Sequence, residues 1–514
     1  MNNQILTKST ITTFYVIISQ LLGLLLTMFV AKKFGANNNI DIIYYIINIS
    51  SFIIALFTGI FKTTLIPFIF NEVKKNQNNL SIIQNAFLTY FTIILLLLSV
   101  LMIIFSETNF FFISFPFLEE ATFTKKIFYF SIPFIFFSVL QSLISTYSNI
   151  NYKFGLAEIV NISKIIIALF VVFYLSNSLF ESSIIIGNFV GAFASFFITI
   201  IYLKRNKLLN FYVDFRYLIL FKRMLSLSII PLLTSLMISS QIIVTNYLLG
   251  VYGTTGSITL LAFSQRFSSI PTLLFSSGFL TVFLTYSSKL EAENKSKELK
   301  NTITKSISFL SFLVIPTILY FVLIKEYFIK LLLIYTDFDK SQCNLISHGL
   351  IILLISALFL QFYSIVFRIY IIKKEYNILF LFSIIYFVFH LIFSFFIIQY
   401  TSESLIGASI GIFASNFILL IISFFYIYKK HDVIDLNYVL KNFIKNITGI
   451  FIVSLIFFQI KDSELTSVLH ISSRIILYFI GSFSIYFTTQ YIIRNNDFIS
   501  LFNKIKSSIS DKKK

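Results

Sequence analysis

Arg266 stands inside the apolar run "LLAFSQRFSSIPTLLF" (260–275), with Ser264, Gln265, Ser268 and Ser269 around it. A guanidinium is always charged and holds a phosphate or carboxylate at two points, whereas lysine offers only a point charge. At the centre of a membrane helix an arginine costs about 2.5–3.5 kcal/mol on insertion scales, and a watery cavity greatly reduces that penalty. The chemistry suggested is therefore an anion held at a wet surface inside a membrane. Gln20, Asn48 and Lys62 are further polar side chains in apolar runs. His390, in "IIYFVFHLIF", reads either as a hydrogen-bonded packing residue or as an ion or proton site. Asp41 opens an apolar run beside "KKFGANNN", where it could cap its own helix or pair with Lys32 or Lys33. The four histidines and the single Cys343 have no metal-ligand spacing, so neither metal nor cofactor is expected.

These residues need membrane helices to position them. Hydrophobic residues make up 57% of the chain and charged ones 12%, with mean hydropathy +0.89, far from soluble globular averages. At about 20 apolar residues per crossing, the sequence predicts spans at 9–31, 42–70, 87–105, 127–148, 156–175, 182–203, 225–248, 257–287, 306–323, 345–370, 378–397, 405–427, 443–458 and 473–492. The expected fold class is an all-α polytopic membrane protein of about fourteen helices. Its expected divisions are a six-helix lobe (1–203), a basic connector (204–224), a second six-helix lobe (225–427), two additional helices (428–492) and a basic tail (493–514).

The net charge of +18 concentrates in alternate loops, above all "KRNKLLNFYVDFRYLILFKR" and the C-terminal "KIKSSISDKKK". That bias is the positive-inside signature. It places both termini in the cytosol and turns the basic residues toward anionic lipid headgroups, and it leaves no basic soluble module for nucleic acid. Lys164, in "NISKIIIALF", reads as a snorkelling lysine.

An internal repeat adds to this. "KKFGANNNIDIIYYIINISSFIIALF" (32–57) lies over "GVYGTTGSITLLAFSQRFSSIPTLLF" (250–275) without gaps, and Asn48 then takes the place of Arg266. Two such halves are the layout of transporters whose substrate lies between pseudo-symmetric lobes.

The stretch "SQLLGLLLTMFVAKKFGANNNIDIIYYI" (19–46) resembles the first-helix pattern of the MviN/MurJ branch of the multidrug, oligosaccharidyl-lipid and polysaccharide exporters. "LFTGIFKTTLIPFIFNE" (56–72) and "AFSQRFSSIPTLLF" (262–275) resemble two further segments of that family. The resemblance implies two bundles around a V-shaped cavity, with two extra helices making a groove for a lipid tail. It also implies flipping of an undecaprenyl-pyrophosphate-linked saccharide, typically lipid II, to the outer leaflet of a bacterial cytoplasmic (inner) membrane. Gln20, Asn48, Lys62, Gln265 and Arg266 are then the candidates for the cavity, and Asp41 for its mouth or a structural role.

The chain departs from that pattern. Where typical members have arginines it has Gln20 and Leu26 in the first helix and Ile54 in the second. Lys62 either replaces a lost cation or snorkels. Spans 225–248 and 378–397 lack the carboxylates of the sodium site described in some members. An O-antigen or capsule unit is thus an alternative cargo. The competing classes are a cation-coupled multidrug antiporter of the same superfamily and, less favoured, a membrane glycan polymerase or ligase. The first normally has an in-membrane carboxylate and the second needs a long catalytic outer loop.

Overall fold

The computed structural model describes residues 3–66, 68–69, 72, 80–108, 121–150, 155–206, 212–458, 468–495 and 498–499, with the backbone alone for 3–13, Lys62 and much of 271–292. The described residues form fifteen α-helices and no strand. They are α1 (Asn3–Phe34), α2 (Asn38–Ile60), α3 (Leu80–Ser106), α4 (Ala121–Ile150), α5 (Gly155–Leu179), α6 (Ser182–Arg205), α7 (Leu218–Tyr252) and α8 (Ser257–Ala292). Then follow α9 (Ser296–Leu323), α10 (Lys325–Tyr335), α11 (Lys340–Ile372), α12 (Tyr376–Tyr400), α13 (Ser404–His431), α14 (Leu436–Phe458) and α15 (Val468–Ile492).

Among the described residues thirteen helices are long and apolar enough to cross a membrane. The short spans expected at 306–323 and 443–458 are the apolar parts of longer helices, α9 and α14. The span expected at 257–287 falls within α8, whose 36 residues reach about 54 Å at 1.5 Å per residue.

The helices group into two compact units, Met1–Phe263 with Tyr376–Gly411, and Ser264–Glu375 with Ile412–Lys514. In the first, α5 packs on α6 and α1, α4 on α6 and α2, and α7 on α2 and α12. "GNFVG" on α6 allows the closest of these approaches: a Cβ at Gly191 would stand 2.5 Å from the Lys164 carbonyl oxygen of α5, and one at Gly187 would stand 3.0 Å from that of Ala168. Small residues four apart let membrane helices meet at backbone distance, where van der Waals contact replaces the missing hydrophobic drive. One core cluster here is aromatic, with Phe91 edge-on to Phe61 and Phe221. After α2 the chain makes a π-helical turn, Phe61–Leu65.

In the second unit α9 is the hub, packed on α11, α14 and α15. Amides join these helices. Asn442 and Asn446 of α14 donate to Ser308 and Ser311 of α9, both at 2.9 Å, and Asn446 Oδ1 accepts from the Tyr486 hydroxyl of α15 at 3.2 Å. The apolar layer beside them includes Phe312, Tyr327, Val453, Phe457 and Tyr478. α11 begins in a capping box, with the Asp339 carboxylate accepting from Gln342 N and Gln342 Oε1 accepting from Asp339 N.

Candidate functional site

Asp41 has the most fully defined polar surroundings of the expected site residues. It sits in the first turn of α2, yet the cap of that helix is Asn37, whose Oδ1 accepts from Ile40 N at 2.9 Å. Lys33 is engaged elsewhere, donating to Asn177 Oδ1 at 2.7 Å. The expectation of a local cap or a lysine pair therefore gives way to a distant contact. The buried Asp41 carboxylate accepts from Gly256 N at 2.7 Å, from Thr259 N at 2.8 Å and from Thr259 Oγ1 at 2.6 Å. Helix starts leave N–H groups without intrahelical acceptors and carry a partial positive charge, so a carboxylate is the fitting partner for the start of α8. Gly256 makes the approach possible with φ +87°, and a Cβ there would lie 3.0 Å from Ala36 Cβ. Ser257 extends the clasp by bonding to Ser404 at the start of α13, at 3.1 Å.

Arg266 and Gln265, in the second unit, are half-buried on α8. The serines around Arg266 are satisfied by backbone oxygens. Ser264 donates to Ile346 O of α11 at 3.1 Å, Ser268 to Gln265 O at 3.0 Å and Ser269 to Arg266 O at 2.8 Å. Their hydroxyls thus tie the helix to itself and to α11.

Gln20 and Asn48 belong to the first unit, on helices with different neighbours: α1 packs on α5, and α2 on α4 and α7. Both are half-buried. Gln20 Oε1 is enclosed without a donor among the described residues. Lys62 falls in the π-helical turn, and its side chain lies outside those described.

His390 is fully buried where α12 meets α7. Its Nε2 lies 3.2 Å from Gln241 O and 3.0 Å from Thr245 Oγ1, and Ser394 Oγ lies 3.4 Å from Nδ1. A carbonyl can only accept, so Nε2–H is directed to Gln241 O, and Ser394 Oγ lies 3.3 Å from Nε2 as well. Tyr386 donates its hydroxyl to Gln241 Oε1 in the same layer. No Asp, Glu, Lys or Arg follows Arg223 in α7, and α12 has none.

Lys164 and Arg368 are further cations on membrane helices. Lys164 donates to Ser138 Oγ at 3.3 Å, with its ammonium 4.8 Å from the Phe134 ring centre. Arg368 of α11 donates to Ser364 O at 2.8 Å and is half-buried. It falls inside the predicted span 345–370, but proximity to "IIKKEYN" hid it among the inner basic residues; its spacing from Gln361 and Ser364 on one helical face was the available signal.

The sequence model of the family described as "Lipid II flippase MurJ" matches residues 30–479, a stretch that contains Asp41, Asn48, Lys62, Gln265, Arg266 and His390 and leaves out Gln20. The chain belongs to the lipid II flippase MurJ family. Among solved structures it is similar to a lipid II flippase MurJ in an inward closed conformation, at TM-score 0.76 and 20% identity, covering 95% of this chain and 99% of that one. An inward-facing multidrug resistance MATE family transporter is more distant, at TM-score 0.65 and 14% identity over 79% of this chain and 93% of its own. A transporter of the same superfamily from Pyrococcus furiosus gives TM-score 0.58 and 13% identity over 81% and 94%. No curated protein sequence matches the chain. Membership of the MurJ family makes the chain a multi-pass membrane transporter rather than an enzyme, with a lipid-linked glycan as its substrate and a role in building peptidoglycan. The multidrug antiporter reading is not favoured.

Proposed function

We propose that the chain carries an undecaprenyl-pyrophosphate-linked saccharide, lipid II or a related envelope precursor, from the cytosolic to the outer leaflet of the bacterial cytoplasmic membrane by alternating access. The observation that carries this reading is the guanidinium of Arg266 within a 36-residue helix of a flippase-family chain. A pyrophosphate cannot cross hydrocarbon unaided, and a guanidinium is the side chain that grips it at two oxygens. Gln265, Gln20 and Asn48 are the further polar side chains offered to the cargo in this proposal, with Lys62 as a second cation. The lobes 1–203 and 225–427, the connector 204–224, the pair 428–492 and the tail 493–514 are its working parts.

The Asp41 clasp supports the alternating-access half of the reading. With both termini cytosolic, the short turns at 35–37 and 253–256 face the outer side, and the clasp joins them there. Release outward then requires three hydrogen bonds to break, and reclosure reforms them. His390, bonded to Gln241 O and Thr245 of α7, serves in this proposal as a pin between α7 and α12 rather than an ion site.

Mass spectrometry of lipid that copurifies with the protein tests the cargo. A polyprenyl pyrophosphate bearing the peptidoglycan pentapeptide disaccharide supports lipid II, and a different glycan on the same carrier reassigns the cargo within the class. Absence of any polyprenyl pyrophosphate, with no flipping of it in vesicles, overturns the reading.

A further inference from the structure

Residues 212–217, which lead into α7, are pinned on one side and apolar on the other. Asp214 is buried, its N–H donates to Thr89 Oγ1 of α3 at 3.1 Å, and its carboxylate accepts from Arg216 N, Nε and Nη2 at 2.9, 3.0 and 2.7 Å. Those bonds hold the Asp214 carboxyl below its usual range. The Tyr90 hydroxyl donates to Phe215 O, and Tyr217 turns the chain into α7 with φ +64°. Asp214 is buried while its neighbours Val213 and Phe215 are 72% and 64% exposed, and Ile219 in the first turn of α7 is 83% exposed.

In sequence the patch is flanked by Lys204 and Arg205 at the end of α6 and by Arg216, Lys222 and Arg223 on the other side. Arg216 is paired with Asp214, and Arg223 reaches Glu72 at 3.4 Å. Lys204, Arg205 and Lys222 are exposed and make no ion pair among the described residues. The helices on both sides are long and apolar enough to cross a membrane, which puts the link between them near the membrane–water boundary. There apolar side chains meet acyl chains and excess cations meet phosphates.

We propose that residues 212–219 are a preformed dock for anionic phospholipid of the cytosolic leaflet, with Val213, Phe215 and Ile219 inserted among the acyl chains and the flanking Lys204, Arg205 and Lys222 on the headgroups. Rigid presentation is the point of the Asp214 and Tyr90 pins, because a preordered patch loses little entropy on binding. The dock fixes the link between α6 and α7 to the leaflet from which cargo is taken.

The test needs no transport and so stands apart from the flippase reading. Cys343, the native cysteine, is buried, so a Val213→Cys variant takes an environment-sensitive fluorophore at the patch. The protein is reconstituted in vesicles of phosphatidylcholine alone and of equal parts phosphatidylcholine and phosphatidylglycerol, each with brominated acyl chains. Strong quenching of the Val213 probe in the mixed vesicles, weaker in phosphatidylcholine, is expected. Arg205→Gln with Lys222→Gln should abolish that difference, while a probe at the exposed outer residue Asp337 stays unquenched in both. Equal quenching in the two lipids, a double variant that keeps the difference, or a probe open to aqueous iodide throughout overturns the proposal. So does protection that appears only on adding a soluble cell extract, which assigns the face to a protein.

Discussion

Asp41 and Thr259 occupy the same position in two repeats 218 residues apart, and they are hydrogen-bonded to each other at 2.6 Å. The repeat that overlays 32–57 on 250–275 thus brings one residue against its own counterpart, a carboxylate in one copy and a hydroxyl with a helix-start N–H in the other. Hydrogen bonds to an ionised group are worth about 1.5–3 kcal/mol. Asp41→Asn removes the charge and leaves an amide NH2 facing Gly256 N–H, donor against donor. We expect it to lower melting temperature modestly and to speed labelling of a cysteine placed at Ala36, as the clasp opens more often. Thr259→Val, which deletes only the hydroxyl that donates to the carboxylate and leaves both backbone N–H contacts, should do the same more weakly. Unchanged labelling in Asp41→Asn would show that the clasp does not control access.

Gly256→Ala probes the same contact from the backbone. At φ +87° an L-residue pays about 1–2 kcal/mol of steric penalty, and the new methyl meets Ala36 Cβ at 3.0 Å. The expected outcome is greater outer-side exposure with folding retained, read by cysteine accessibility at Ala36 and by thermal unfolding. Wild-type values for both would mean that the turn relaxes at no cost to the clasp.

How far the sequence carries is plain from these residues. Spans are legible because hydropathy integrates over some twenty residues, and the family resemblance is legible in "AKKFGANNNID". The partner of Asp41 is not, because a helix-opening aspartate looks the same whether it caps its own helix or one 218 residues away. Pattern alone also misses α10, an 11-residue helix outside the membrane-length window, and the π-helical turn at Phe61–Leu65, which has no periodicity of its own. The packing role of Gly187 and Gly191 could have been read from "GNFVG".

His390 bears on energy coupling. With no carboxylate on α12 or along the membrane part of α7, transport should not depend on sodium. Replacing sodium by choline in reconstituted vesicles is expected to leave the rate unchanged, and a sodium requirement would place an ion site elsewhere. His390→Leu leaves Ser394 and Thr245 with fewer partners and should destabilise by about 1–3 kcal/mol, seen as a lower melting temperature. Transport per folded molecule should be preserved.

The orientation can be checked with two exposed positions. Cysteines at Lys297, in the basic loop between α8 and α9, and at Asp337, between α10 and α11, lie on opposite sides if the positive-inside rule holds. An impermeant thiol reagent should label Asp337→Cys in intact cells and Lys297→Cys only after lysis. The reverse pattern would invert the chain and move the Asp41 clasp to the cytosolic side.

Arg266 decides the substrate chemistry. If its guanidinium grips the pyrophosphate, Arg266→Ala should abolish flipping while the protein still accumulates and melts near the wild-type temperature, because the neighbouring serines already bond to backbone oxygens. Arg266→Lys should restore only part of the rate, since a point charge replaces a two-point grip. If Arg266 instead holds the helices together, Arg266→Ala should lower abundance and melting temperature in step with activity, and lysine should rescue stability and transport together. Lipid-linked glycan reaching the outer leaflet, measured beside abundance and melting temperature in all three proteins, separates the two. A stable Arg266→Ala protein that flips at the wild-type rate would remove Arg266 from the transport path altogether.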